Sequence, residues 1–318
     1  MKIMENINWQ HVESQPENEM QRLLHGRGFH FAASEHINID WFSPVILIIL
    51  YKEMKAKELQ RLSAQLLHKM TEIGFTVESI QVQFRCRDFA PTEILYGQPI
   101  TDLIAHENTL KYKINLGSKQ NYGIFLDMKN GRQWLQNNSK NKSVLNLFSY
   151  TCAFSNAAIA GGAERVINLD MSKAALAVGR DNHRLNGHDL SRVKYFAHDL
   201  FNSWGKVKRF GPYDIVIADP PSLQKGSVNI KRDYPKIIRR LPDLLTADGV
   251  ALLCLNSPDL DLLFLREVIA EECPQAVIIA QISPPEQFLN IEPERGLKCL
   301  LLRLNREPNE WDLLLASD

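Results

Sequence analysis

Residues 144–170, VLNLFSYTCAFSNAAIAGGAERVINLD, constrain the fold more than any other stretch. Residues 144–148 are a short apolar run of the kind that forms a strand buried on both faces. Ser149-Tyr150-Thr151 then supplies polar groups where a helix would begin, residues 153–160 are rich in helix formers, and Gly161-Gly162 provides a stop. Residues 166–169 are a second apolar run, closing on Asp170. This order predicts a parallel βαβ nucleotide-binding unit. The acid at the second strand tip is the usual partner of a ribose, because a carboxylate can accept from both hydroxyls.

The loop argues against a dinucleotide. A pyrophosphate needs close backbone approach and the G-x-G-x-x-G pattern, whereas residues 146–152 contain no glycine. Aromatic rings and hydroxyls stand there instead. Ring faces attract cations by about 0.5–2 kcal/mol, which suits a phosphate-free cofactor carrying a cation, such as the sulfonium of S-adenosylmethionine. The alternative is that Phe148 and Tyr150 are plain core aromatics.

The alternation continues. Residues 171–186 read as a helix with Ser172 as N-cap and Gly187 as stop. Further strands over 193–197, 213–218 and 249–255 end on His198-Asp199, Asp219-Pro220-Pro221 and Asn256-Ser257-Pro258. Residues 277–282 and 298–304 predict a final antiparallel pair. Five strands ending in polar residues place those residues on one carboxyl edge, where open α/β sheets bind ligands. There Asp170 would hold a ribose and Asp199 an adenine amine. Asp219-Pro220-Pro221 would be a rigid wall without N–H donors.

At 318 residues the chain is long enough for two domains. We draw them as a smaller α+β domain over 1–115 and the βαβ-containing domain over 116–318. In the first, residues 41–51, 76–84, 94–96 and 112–116 read as strands. Residues 52–73 place Leu59, Leu62, Leu66, Leu67 and Met70 at helical spacing. His25-Gly26-Arg27-Gly28 predicts a tight turn presenting a cation, or a plain surface turn. Residues 121–127 read as a strand ending in Asp127, ahead of a helix start with Lys129 and Arg132. Residues 286–295 read as a loop over the sheet edge.

Lys+Arg and Asp+Glu both number 37, so any surface for nucleic acid must be local. The candidate is the stretch after Asp219-Pro220-Pro221. Lys225, Lys231, Arg232, Lys236, Arg239 and Arg240 accompany one acid, Asp233, with Tyr234 among them. It reads as an RNA-tracking stripe, against the alternative of a solvated helix face. Five scattered cysteines without C-x-x-C, and nine histidines without metal spacing, predict reduced thiols and no metal. The longest greasy run, 45–50, is too short to span a membrane. A cytoplasmic enzyme is expected.

VLNLFSYT, INLDMS, FAHDL, IADPPS and GIFLD followed by Arg132 resemble the S-adenosylmethionine-dependent methyltransferases of bacterial 23S ribosomal RNA, of the cytosine-5 and guanine-N7 types. The resemblance covers about residues 120–305. It implies a Rossmann-like class I methyltransferase, α/β with a seven-stranded mixed sheet, beside the smaller N-terminal domain. It implies S-adenosylmethionine contacts from Phe125, Asp127, Arg132, Phe148, Ser149, Tyr150, Thr151, Asp170, Met171, Ser172, Asp199 and Asp219. It also implies 23S ribosomal RNA as partner, with Pro221, Lys225, Arg232 and Tyr234 on the substrate side.

Three positions depart from the pattern. Cys152 stands where the family usually has glycine. Asn256 stands where the cytosine-5 type carries its nucleophilic cysteine, and Cys254, two residues earlier, lies inside an apolar run. Ser222 replaces the aromatic that amine methylases favour. The departures point to guanine N7, whose free lone pair needs no general base. Asp219, Pro220 and Asn256 would then orient the base, and the guanine-N7 type also has asparagine at this tip. Two other readings are a non-catalytic RNA-binding module with this fold, motivated by Cys152, and a nicotinamide-dependent oxidoreductase, opposed by the missing glycines.

Overall fold

The nucleotide-binding unit forms where its residues predict it, within a computed structural model that describes residues 2–31, 34–117, 121–221 and 228–305. The chain divides into two compact units. The first comprises Met1–Lys129, Asp181–Gly187 and Pro284–Gly296; the second comprises Asn130–Arg180, His188–Ser283 and Leu297–Asp318. The first thus runs beyond residue 115 and takes in two later segments.

In the first unit, helices α1 (Lys2–Glu5) and α2 (Trp9–Ser14) precede β1 (Gln21–His25), β2 (Ile37–Phe42) and β3 (Val45–Leu50). Helix α3 (Ala56–Glu72) follows, then β4 (Ser79–Phe84), β5 (Thr92–Gly97), β6 (Asp102–Glu107) and β7 (Leu110–Asn115). Strands β1 to β5 form one sheet in chain order, and β6 and β7 a separate hairpin. The β3–β4 pair is parallel, so the chain needs a crossover, and α3 supplies it. That helix buries Leu59, Leu62, Leu66 and Met70 along one stripe, which is the spacing that predicted it.

Residues 41–51 are not one strand. β2 and β3 are an antiparallel pair turned at Ser43-Pro44. Proline has no N–H to continue a ladder, and the apolar runs on both sides, each wholly buried, hide the turn in the sequence. Residues 121–127 are not a strand either. Gly123 has φ +122°, which breaks an extended run, and Leu126–Met128 is a single 3-10 turn leading into α4 (Lys129–Asn138). Strand β1 went unforeseen because it buries polar Gln21 and Arg22.

The second unit continues through β8 (Ser143–Leu147), α5 (Ala153–Ala160), β9 (Arg165–Asp170), α6 (Lys173–Leu185) and β10 (Val193–Ala197). Then come α7 (Trp204–Arg209), β11 (Tyr213–Ala218), α8 (Ile230–Ile238), α9 (Leu241–Leu244) and β12 (Leu245–Leu255). It ends with α10 (Leu262–Glu272), β13 (Ala276–Ile282) and β14 (Lys298–Leu304). The sheet order is β10-β9-β8-β11-β12-β14-β13. The first five strands are mutually parallel, and β14 runs antiparallel to both neighbours. This is the seven-stranded mixed sheet that the sequence predicts. Its central strands are buried on both faces, the reason they read as unbroken apolar runs. Residues 286–295, expected as a loop over the sheet edge, fall within Pro284–Gly296, which groups with the first unit.

Candidate active site

Parallel register brings the tips together. Leu147 pairs Leu169, Ala197 pairs Asp170, Ala218 pairs Leu147 and Leu253 pairs Ala218. Asp199, Asp170, Asp219 and Asn256 therefore follow one another along a single carboxyl edge, flanking the chain reversal at the order change between β8 and β11.

The loop after β8 is held against its own preference. Phe148, Tyr150 and Cys152 have φ of 56°, 47° and 60°, a region that costs a non-glycine residue on the order of 1–3 kcal/mol. Bonds from neighbouring strands impose it. Ser149 N–H donates to Leu169 O at 3.1 Å, Cys152 N–H to Ser149 O at 2.7 Å, and Tyr150 N–H to Asp170 Oδ2 at 2.8 Å. Asp170 Oδ1 accepts from Ser172 N–H at 2.8 Å. One carboxylate thus ties the first loop to the second, and each of its oxygens keeps a further lone pair for a ligand hydroxyl. Ser172 caps α6, its Oγ accepting from Ala175 N–H at 3.1 Å. Met171 beside it is exposed.

Cys152 is accommodated from outside the loop. A Cβ on Gly179 of α6 would come within 2.5 Å of Cys152 Sγ, so the thiol occupies the space that any side chain there would fill. Burial pushes this thiol well above the usual range, and it stays protonated and inert. Beneath lies a polar ladder. Asn146 Nδ2 donates to Asn168 Oδ1, Asn168 Nδ2 to Ser155 Oγ, and Asn156 Nδ2 to Cys152 O, each at 2.9 Å. The sequence carried its signal: asparagine sits at the paired position of two otherwise apolar strands, NL in β8 and NL in β9.

The remaining tips differ in what they offer. Asp199 accepts from Phe201 N–H at 2.9 Å through Oδ1 and from Asn202 Nδ2 at 2.8 Å through Oδ2, so it shapes its own turn. His198 is exposed, its Nε2 2.6 Å from Lys206 Nζ. Asp219 and Pro221 are half-buried and Pro220 is buried. Asn256 is exposed. Lys298, which the sequence reading passed over, is buried behind that tip and donates from Nζ to Ser257 O at 3.0 Å. Its place in the register, opposite Leu255, lets it fix the loop that carries Asn256.

Several predicted positions fall elsewhere. Tyr234 cannot meet a substrate. It is fully buried, and its hydroxyl donates to Cys254 O at 2.7 Å and lies 3.4 Å from Ala218 O, clamping β11 to β12. Most of the basic stripe is paired with carboxylates. Arg232 makes a bidentate pair with Asp233 at 2.9 and 2.8 Å, and Lys236 joins at 2.9 Å. Arg239 pairs with Glu272 at 2.6 and 2.7 Å, and Arg240 Nη1 lies 4.0 Å from Asp243. Glu272 was invisible as a partner because it comes from another segment of the chain, α10. Lys225, with Ser222, lies outside the described residues. Ser149 and Thr151 are buried, Phe148 packs against the core, and Arg132 is buried in α4. Phe125 and Asp127 belong to the first unit, Phe125 exposed and Asp127 in the turn ahead of α4.

The donor set at the first, second and fourth tips consists of carboxylates, a tyrosine ring and backbone groups, with no lysine or arginine. Such a set fits a diol and a cation and not a pyrophosphate, so the residues present fit S-adenosylmethionine. Among the described residues no group of three His, Cys, Asp or Glu could hold a metal, and no helix is long and apolar enough to cross a membrane.

Comparison with known proteins gives the same direction. A ribosomal RNA large subunit methyltransferase K from Neisseria meningitidis serogroup B is 31% identical over 248 residues, 74% of this chain and 68% of that one. A ribosomal RNA large subunit methyltransferase I from Aeromonas salmonicida is 30% identical over 196 residues, covering 60% of this chain and 50% of that one. A methyltransferase K/L from Psychrobacter cryohalolentis is 38% identical over 154 residues, 46% and 20%. The chain thus spans half or less of the last two relatives. In fold, SMU.776 complexed with SAH superposes with a TM-score of 0.81 at 24% identity, over 95% of this chain and 81% of that one. The sequence pattern of the S-adenosylmethionine-dependent methyltransferases matches residues 21–303. With that match spanning both units and the strand-tip acids set on one rim, the chain belongs to the S-adenosylmethionine-dependent methyltransferase family, with the Rossmann-like class I fold.

Proposed function

We propose that this chain methylates a base of large-subunit ribosomal RNA in the cytoplasm, and that the target atom is guanine N7. The names of the relatives support the RNA. One observation carries the choice of atom: the fifth tip offers exposed Asn256, while Cys254 is wholly buried in β12. Attack on cytosine C6 needs an accessible thiolate, and a cysteine with no exposed surface cannot supply one.

Bound S-adenosylmethionine would supply a methyl group on a positively charged sulfur. Asp170 would hold the ribose hydroxyls through its remaining lone pairs, with Tyr150 and Met171 beside it. Asp199 would face the adenine, and Asp219 would border the methyl group. Asn256 would hydrogen-bond the edge of a purine, as asparagine does, and the Pro220 carbonyl would complete its orientation. Guanine N7 carries a lone pair and no proton. It would accept the methyl group that the cofactor supplies without a general base, so the chain's own residues would act mostly by positioning. The non-catalytic alternative keeps its motive in the positive φ of Cys152, although Gly179 leaves room for the thiol.

The test is methyl transfer to ribosomal RNA, followed by mass spectrometry of the digested nucleosides. We expect N7-methylguanosine, undiminished in Cys254→Ala and reduced on the order of a hundredfold in Asn256→Ala. A product at cytosine C5 that Cys254→Ala abolishes would overturn the choice of atom. No transfer to any RNA by folded, cofactor-binding protein would overturn the proposal whole.

A further inference from the structure

The His25-Gly26-Arg27-Gly28 turn belongs to the first unit and has no part in the chemistry above. It is nonetheless built to close tolerance. A Cβ on Gly26 would run into the carbonyl oxygens of Ser34 and Ile37, and one on Gly28 would come within 2.5 Å of Leu289 O. Ile291 N–H donates to Gly28 O at 2.8 Å. Backbone on both sides therefore fixes where Arg27 stands. Its side chain is exposed, and its guanidinium lies 4.3 Å above the centre of the Tyr51 ring. Arg85 Nη1 donates to Tyr51 Oη at 3.3 Å from the same neighbourhood. Next along the turn, Phe29 is 41% exposed with Arg295 5.6 Å from its ring.

Charge accounting separates this cluster from the other cations. Among the described residues no carboxylate pairs with Arg27, whose guanidinium rests over a ring. In the sheet of the same unit Asp40 is fully buried and committed to Arg22 and to Tyr122, which donates to its Oδ2 at 2.9 Å. Burial, with Arg22 and Arg27 nearby, pushes the His25 imidazole down to about 3, so the ring stays neutral in a field that is already positive. A planar cation over an aromatic ring, with a second arginine alongside and exposed rings next to it, is the chemistry that meets unpaired bases and their phosphates.

We propose that Arg27, laid on Tyr51 beside Arg85, is a contact for a single-stranded segment of the substrate RNA. The inference deepens the RNA reading above and rests on it for the identity of the polymer. A duplex hides its base faces, so the contact favours unpaired RNA.

The experiment uses the full chain and a labelled single strand of about 12 nucleotides, titrated by fluorescence anisotropy over a series of salt concentrations. A duplex of the same sequence is the control. Arg27→Ala should weaken the single strand about tenfold, in line with the loss of one stacked base. It should also lower the salt slope by about 0.7, the value of one phosphate contact on a single strand. The duplex, the thermal midpoint and the calorimetric affinity for S-adenosylmethionine should not move, and Tyr51→Leu should reproduce the weakening. Unchanged single-strand binding by Arg27→Ala overturns the inference, as does equal weakening on the duplex. Methyl transfer is assayed on the same preparations. Transfer by the wild type with Arg27→Ala binding unaltered removes this contact and leaves the proposed function. Arg27-dependent binding of the single strand without any methyl transfer removes the function and leaves the contact.

Discussion

Two basic surfaces of this molecule hold their arginines in opposite ways. On α8 of the second unit, Arg232, Lys236 and Arg239 are paired with carboxylates at 2.6–2.9 Å. In the turn of the first unit, Arg27 rests on a tyrosine ring and no carboxylate meets it among the described residues. The stripe looked the stronger candidate in one dimension because it concentrates cations. In three dimensions most of its cations face carboxylates, whereas the arginine between glycines faces a ring. A run of basic letters counts charges, and only the fold counts partners.

The largest effect should come from the acid that keeps the first surface positive. Asp40 is fully buried against Arg22, whose side chain is 8% exposed. Asp40→Ala strands that guanidinium without a counter-ion, and removing one partner of a buried pair costs about 3–5 kcal/mol. Urea unfolding measures it. A midpoint indistinguishable from wild type would mean Arg22 needs no anion and would break the contrast between a buried pair here and exposed pairs on α8.

The two surfaces should also separate in their acid response. His25 is neutral in the fold with its value down at about 3, against an ordinary 6.5. The unfolded chain therefore binds the proton first, and the stability from this site is present above about pH 6.5 and lost as pH falls toward 3. Arg232 holds the Asp233 carboxyl well below the usual carboxylate range, so its contribution is present above about pH 4 and fades below it. Unfolding curves across pH 3–7 should lose their upper limb in His25→Asn and keep it in Asp233→Asn. The reverse assignment would sink the reading.

The smallest effect belongs to Arg239→Ala. Its partner lies on α10 and the arginine is 64% exposed, where screening leaves such a pair little weight. Thermal midpoint and RNA salt slope should both stay where they are. A lower slope would show that the stripe touches phosphate after all, and the comparison would need redrawing.

Much of the second unit was legible because buried parallel strands announce themselves as apolar runs and end on the polar residues that line the rim. Residues 193–197 and 213–218 came out as strands at those limits. The first unit was harder. The hairpin of β2 and β3 merges into one apolar stretch, and β1 hides behind Gln21 and Arg22. Around the site, Tyr234 read as a recognition residue because tyrosine among cations looks like one, yet its ring fills the core. Lys298 was missed because its role depends on a strand that returns more than forty residues after the tip it supports.

By itself, the sequence determined the alternation of strands and helices, the acids at the strand ends and the absence of a glycine-rich phosphate loop. These are local properties, written in periodicity and in the residue at each strand end. The tertiary structure decided which charges are cancelled, which rings are buried and how Cys152 finds room against Gly179. Such outcomes depend on distances between segments far apart in the chain, and a linear pattern does not contain those distances.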